Sequence, residues 1–194
     1  MLVNRSLTRR RQDGFTMIEL LITILIVTVG ILGLAKMQAA AVSNTAVSRT
    51  RSLMTYQAES LAGMIRSNRK FWITSGNFTT WPDFAMNSAG SVTSRTGMDT
   101  TVVTCAGASV VCTPAQLAYD DVVNVWVPQF TLAFPNATAA IKCVPATGSN
   151  CAANPASPHG YDITLTWNQK MVAINKSTAG SQTQSVSIVM HVQP

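Results

Sequence analysis

The sequence predicts an α+β fold: one long N-terminal helix packed on a small antiparallel sheet, with a second helix beside it. Three observations carry this. No proline occurs before Pro82. Apolar residues between Val47 and Ile65 recur at helical spacing. The C-terminal third holds segments in which apolar and polar residues alternate.

The long helix has two halves. Phe15 opens an apolar run that lasts to Ala35. Such a run, roughly 21 residues, is long enough to cross the ~30 Å hydrocarbon core of a membrane. It contains one ionisable residue, Glu19. A carboxylate inside a span costs about 2.5 kcal/mol or more, so its default reading is functional. Arginines 9, 10 and 11 precede the run. Positive residues on that side place the N-terminus in the cytoplasm and the rest outside. Gly30 and Gly33 sit near the outer end of the run. They are read either as a bendable point or as a place where helices pack closely.

The helix is expected to continue from Lys36 to about Lys70. Val47, Met54, Ala58, Leu61 and Ile65 fall on one face, widened by Leu53, Ala62 and Met64. That stripe is a core, not a ligand box. Arg49, Arg51, Arg66, Arg69 and Lys70 occupy other angles and read as a solvated face or a subunit contact.

Residues 71–104 carry aromatic anchors, Phe71, Trp72, Phe78 and Trp81, in a Thr/Ser/Gly-rich connection. Thr101 to Cys105 is a candidate short strand. Residues 114–134 predict the second helix, with Pro114 at its first position. Pro128 is expected to kink or end it, because proline lacks an N–H and clashes with the preceding turn. Asp120 and Asp121 are expected to be exposed helix residues. Strands are expected at residues 139–144, 161–168 and 185–192. Tyr161, Ile163, Leu165 and Trp167 alternate with polar neighbours, as do Val186, Ile188, Met190 and Val192. A long loop should join the first two strands.

The formal net charge of +6 belongs to the N-terminal third. Residues 36–70 hold six basic residues against Glu59, whereas residues 71–194 hold four against five aspartates. The nearly neutral distal part argues against nucleic acid as a partner. Four cysteines, Cys105, Cys112, Cys143 and Cys151, follow the span, where disulfides persist. Three connectivities are possible. Short loops are easiest to close, which favours Cys105–Cys112 and Cys143–Cys151. His159 and His191 are isolated in sequence, and no catalytic, metal or cofactor motif occurs. The chain is not expected to be an enzyme.

A plain anchor and a secretory signal cleaved near Ala39-Ala40-Ala41 are two readings of the N-terminal run. A third rests on resemblance. Gly14-Phe15-Thr16-Met17-Ile18-Glu19-Leu20-Leu21 after the basic leader resembles the signal of type IV prepilins and type II secretion pseudopilins. The resemblance implies cleavage between Gly14 and Phe15 by a prepilin peptidase, and methylation of the new amine. It implies that Glu19 pairs with the amine of a neighbouring subunit. It divides the chain into a leader (1–14), a transmembrane helix (15–35), its amphipathic continuation (36–70) and an extracytoplasmic lobe (71–194). Gly30-Ile31-Leu32-Gly33-Leu34-Ala35 with Gln38 resembles the PilV-like minor pilins. So does Cys112 with Leu117, Ala118, Asp120 and Trp126, leading through Phe134-Pro135 to Trp167. That likeness implies a minor pilin of the inner membrane and pilus. Its partners would be other minor and major pilins, the assembly platform and lipid. A type II secretion pseudopilin and a DNA-uptake pilin are the alternatives.

Overall fold

The computed structural model describes residues 14–73, 81–101, 104–105, 111–145, 159–170 and 183–194. The chain falls into two compact units, the first ending at Asn44 and the second running Thr45–Pro194. Helix α1 (Met17–Ser67) is unbroken for 51 residues and passes through that boundary. A short helix follows, α2 (Arg69–Ile73). Then come β1 (Phe84–Met86), β2 (Val92–Ser94), α3 (Pro114–Tyr119), a π-helical segment (Asp120–Trp126) and α4 (Val127–Ala133). Strands β3 (Thr138–Pro145), β4 (His159–Lys170) and β5 (Thr183–Val192) complete the fold. The α+β architecture expected from the sequence is present.

The sheet has the order β2-β1-β3-β4-β5, and every neighbouring pair is antiparallel. The register sets which face is buried. Ile141 pairs with Ile163, and Ile163 with Met190. One face therefore carries Phe84, Met86, Ile141, Tyr161, Ile163, Leu165 and Trp167 into a single core with Met54, Ala58, Leu61, Ala62 and Ile65 of α1. Each large side chain buried here contributes about 1.5–3 kcal/mol. The helical stripe holds from Met54 to Ile65; Val47 is half-buried and outside the core, and Leu53 is 45% exposed. Leu53 lies one residue before Met54, about 100° away around the helix, and so turns outward.

Several elements differ from expectation. The long helix stops at Ser67, not Lys70. Asn68 is buried, and its Nδ2 donates to the Pro114 carbonyl at 2.7 Å. That tether ends α1 and turns Phe71 and Trp72 of α2 into the core. Trp72 lies edge-on to both Phe71 and Tyr161, with ring centroids 5.0 Å apart in each pair. Residues 101, 104 and 105 are not in a strand, and residues 102–103 lie outside the described residues. The β1–β2 hairpin was not foreseen, because its strands of three residues are too short to show a period. Most of the expected long loop lies outside the described residues, although His159 and Gly160 already belong to β4.

The second helix passes through Pro128. Thr113 caps α3 by accepting from the Gln116 N–H, and Gln116 answers through its side chain, a complete capping box. The π-helical segment then widens the helix just before the proline. The Val127 N–H donates to the Val122 carbonyl, five residues back. In a regular α-helix Pro128 would collide with the Asn124 carbonyl; the wider turn relieves that collision. The buried residues Ala118, Val122, Trp126 and Phe130 recur every four positions. At 100° per residue that stripe would drift about 40° per step. The wider turn corrects the drift and keeps all four in the core.

Candidate functional site: the N-terminal segment and the charged clusters

The N-terminal segment begins as a short non-helical stretch, residues 14–16. No atom lies within 4 Å of where a Cβ on Gly14 would stand. Thr16 starts the helix. Its carbonyl accepts from the N–H groups of Glu19 (3.1 Å) and Leu20 (3.3 Å), and its Oγ1 accepts from Glu19 N–H at 3.4 Å. Thr16-x-x-Glu19 has the spacing of a capping box. That spacing is legible in the sequence as a helix start. Glu19 therefore stands in the first turn, where a negative charge favours the helix dipole. The Gly14–Phe15 bond lies outside the helix.

Among the described residues, nothing covers the apolar run. Phe15 is 83% exposed and Leu32 67%, and none of the most apolar window is buried. The Thr23 hydroxyl donates to the Leu20 carbonyl at 2.9 Å, and Thr28 to Leu25 at 2.8 Å. The hydroxyls of Thr23 and Thr28 are thus satisfied within the helix, as hydrocarbon requires. The Glu19 carboxylate has no such partner in its own helix. Among the described residues it forms no ion pair. Gly30 and Gly33 meet nothing within 4 Å, so both leave room for an incoming backbone. The helix runs through them without a break.

In the second unit Cys105 and Cys112 form a disulfide. Cys143 is disulfide-bonded too, while Cys151 lies outside the described residues. Asp120 is buried, contrary to its expected exposure. Its Oδ2 accepts from the Cys105 N–H and its Oδ1 from Asn124 Nδ2, both at 2.9 Å. The disulfide brings Cys105 beside the second helix, and Asp120 is pulled inward to meet it. Two further bonds stitch this strap along α3: the Asp99 N–H donates to the Ala115 carbonyl, and Gln116 Nε2 to Thr101 Oγ1. Burial, and then the charge of Asp120, push the Asp121 carboxyl above its ordinary value. Burial pulls Asp83 the same way, but hydrogen bonds from Thr96 and Ser94 outweigh it and hold that carboxyl low.

His191 is not isolated. It sits opposite Asp162 across β4 and β5, with Nδ1 2.9 Å from Oδ1. A Cβ on Gly160 would strike the His191 ring, so glycine there lets the imidazole lie across β4. Lys142 stands opposite Asp162 on the other side. Among the described residues no three His, Cys, Asp or Glu side chains come together as a metal site would need. Arg49, Arg51, Arg66, Arg69 and Lys70 are all exposed.

Two comparisons with known proteins return no match, among curated proteins and among solved structures alike. The model of the prokaryotic N-terminal methylation motif matches residues 9–35, which supports a type IV pilin-like chain, pilin or pseudopilin, anchored in a membrane by its N-terminal helix.

Proposed function

We propose that this chain is a minor pilin of the PilV-like kind. It would be held in the inner membrane, cut between Gly14 and Phe15, and built into a type IV pilus. It acts as a structural subunit, not a catalyst. The observation that carries the reading is the methylation-motif match over residues 9–35, taken with an apolar helix that no described residue covers. Such a helix needs lipid before assembly and other helices after it. Glu19 is the group that distinguishes the two states. In lipid it is a cost. In a bundle it meets the amine of a neighbouring Phe15 and fixes the axial offset between subunits. The partners are then other pilins, the prepilin peptidase and the assembly platform. The lobe lies outside the inner membrane. A pseudopilin of type II secretion is the second reading, since it shares the same segment.

Mass spectrometry of the membrane-extracted protein tests the processing step. An N-methylated Phe15 terminus is expected. An intact Met1, or a terminus near Ala41, would overturn it. Localisation separates the two readings: sheared surface filaments contain a pilus subunit and lack a secretion pseudopilin.

A further inference from the structure

A concavity of about 250 Å³ lies between the β1–β2 turn and the end of α4. Main-chain hydrogen bonds hold the turns on either side of it. The Asn87 N–H donates to Ser91 O and the Gly90 N–H to Asn87 O, both at 3.0 Å. Asn87 Oδ1 accepts from Ala89 N–H and Ser91 N–H at the same distance. Gly90 has φ 79°, and a Cβ there would stand 2.9 Å from the Thr131 methyl, so the turn rests directly on α4. On the other side the Ala137 N–H donates to Phe134 O, and Asn136 takes φ 65° between them. Two left-handed residues thus frame a preformed site.

The chemistry of the lining is specific. Phe134 and Pro135 give an apolar surface. The Thr131 hydroxyl is spent on the Val127 and Pro128 carbonyls, and its methyl packs against Gly90. Ser88 and Asn136 line the same space, and their side chains bond to no described residue. No charged side chain lines it. The lining is about half polar, with an aromatic surface beside neutral polar groups, which suits a small polar ligand. Here the polar groups are neutral, and one of them, a carboxamide, both donates and accepts.

We propose that this concavity binds one neutral sugar ring. The C–H face of a pyranose stacks on Phe134 and Pro135, and its hydroxyls pair with Ser88 and Asn136. Phosphorylated or carboxylated sugars find no counter-charge and are not selected. The ring can be a free sugar or the end of a surface glycan.

The test uses the full chain in phosphatidylcholine nanodiscs, followed by amide NMR. N-acetylglucosamine and its linear tetramer are the probes, with glucose 6-phosphate as the charged control. The expected result is millimolar binding, with shifts at Ala89, Gly90, Asn136 and Ala137. Tighter binding of the tetramer assigns the site to a glycan, and equal binding to a free sugar. Asn136→Gly keeps the left-handed backbone while removing the carboxamide. Combined with Ser88→Ala it should weaken binding about tenfold and leave other amides unmoved. No shifts at tens of millimolar sugar, undiminished binding in the double variant, or equal binding of the phosphate would each overturn the proposal.

Discussion

The Tyr161 hydroxyl donates a 2.9 Å hydrogen bond to the backbone carbonyl of Trp72, 89 residues away in sequence. It ties β4 to α2. Both rings are buried and lie edge-on to each other. Burial pushes the Tyr161 phenol above its ordinary pKa, so the hydroxyl stays a donor. Tyr161→Phe keeps the ring and removes this hydrogen bond. Losing one buried hydrogen bond costs about 0.5–1.5 kcal/mol. Urea denaturation of variant and wild type should show that loss at an unchanged slope. No loss would mean that water replaces the hydroxyl.

Asp120 and the Cys105–Cys112 disulfide are coupled through one hydrogen bond. Asp120→Ala removes acceptors from the Cys105 N–H and Asn124, and should destabilise by about 2–3 kcal/mol. Breaking the disulfide with Cys105→Ser and Cys112→Ser should cost a similar amount, about 2–4 kcal/mol. The two losses should not add, because the strap that delivers the N–H is already loose once the disulfide is gone. A double-mutant cycle measures this. Strict additivity would show that Asp120 does not depend on the crosslink.

Two aspartates should move acid stability in opposite directions. The folded state holds Asp83 below its ordinary 3.8, so its stabilisation exists above that value and is lost as pH falls through the folded pKa. Asp121 is held above 3.8, so its charged form is disfavoured in the fold at neutral pH. Asp121→Asn should therefore stabilise the protein slightly near pH 7. That gain should vanish as pH falls below the unfolded value, where wild-type Asp121 is protonated in both states. Asp83→Asn should instead destabilise at pH 7 and match wild type in acid. Thermal melts across pH 2–7 distinguish the two profiles.

Glu19→Ala should leave processing and membrane insertion intact and block incorporation. Insertion becomes easier by about 2.5 kcal/mol once the carboxylate is gone. On the proposed pairing, assembly loses the partner of a buried amine, which costs roughly 3 kcal/mol or more. At equilibrium that is about a hundredfold. The variant subunit should accumulate in membranes and be depleted from sheared filaments. Equal amounts in the filaments would remove Glu19 from the assembly mechanism.

Much of this protein was legible in its residues. The unbroken helix, its buried stripe and the alternation of β4 depend on local periodicity, and periodicity survives folding. The N-terminal segment was legible because lipid, unlike a protein core, imposes a rule on length and charge that every residue must satisfy. The short Cys105–Cys112 loop followed from the small entropy of closing it. Other features were decided only in three dimensions. Asp120 looks like a surface residue until the disulfide delivers a backbone N–H to it. Asn68 ends a helix because a carbonyl 46 residues later accepts its amide. Pro128 should break a helix and does not, because the turn before it widens to keep Trp126 and Phe130 in the core. His191 finds Asp162 through strand register. In each case a polar or irregular residue takes its role from a partner distant in sequence, and only the closed fold brings that partner within hydrogen-bond reach.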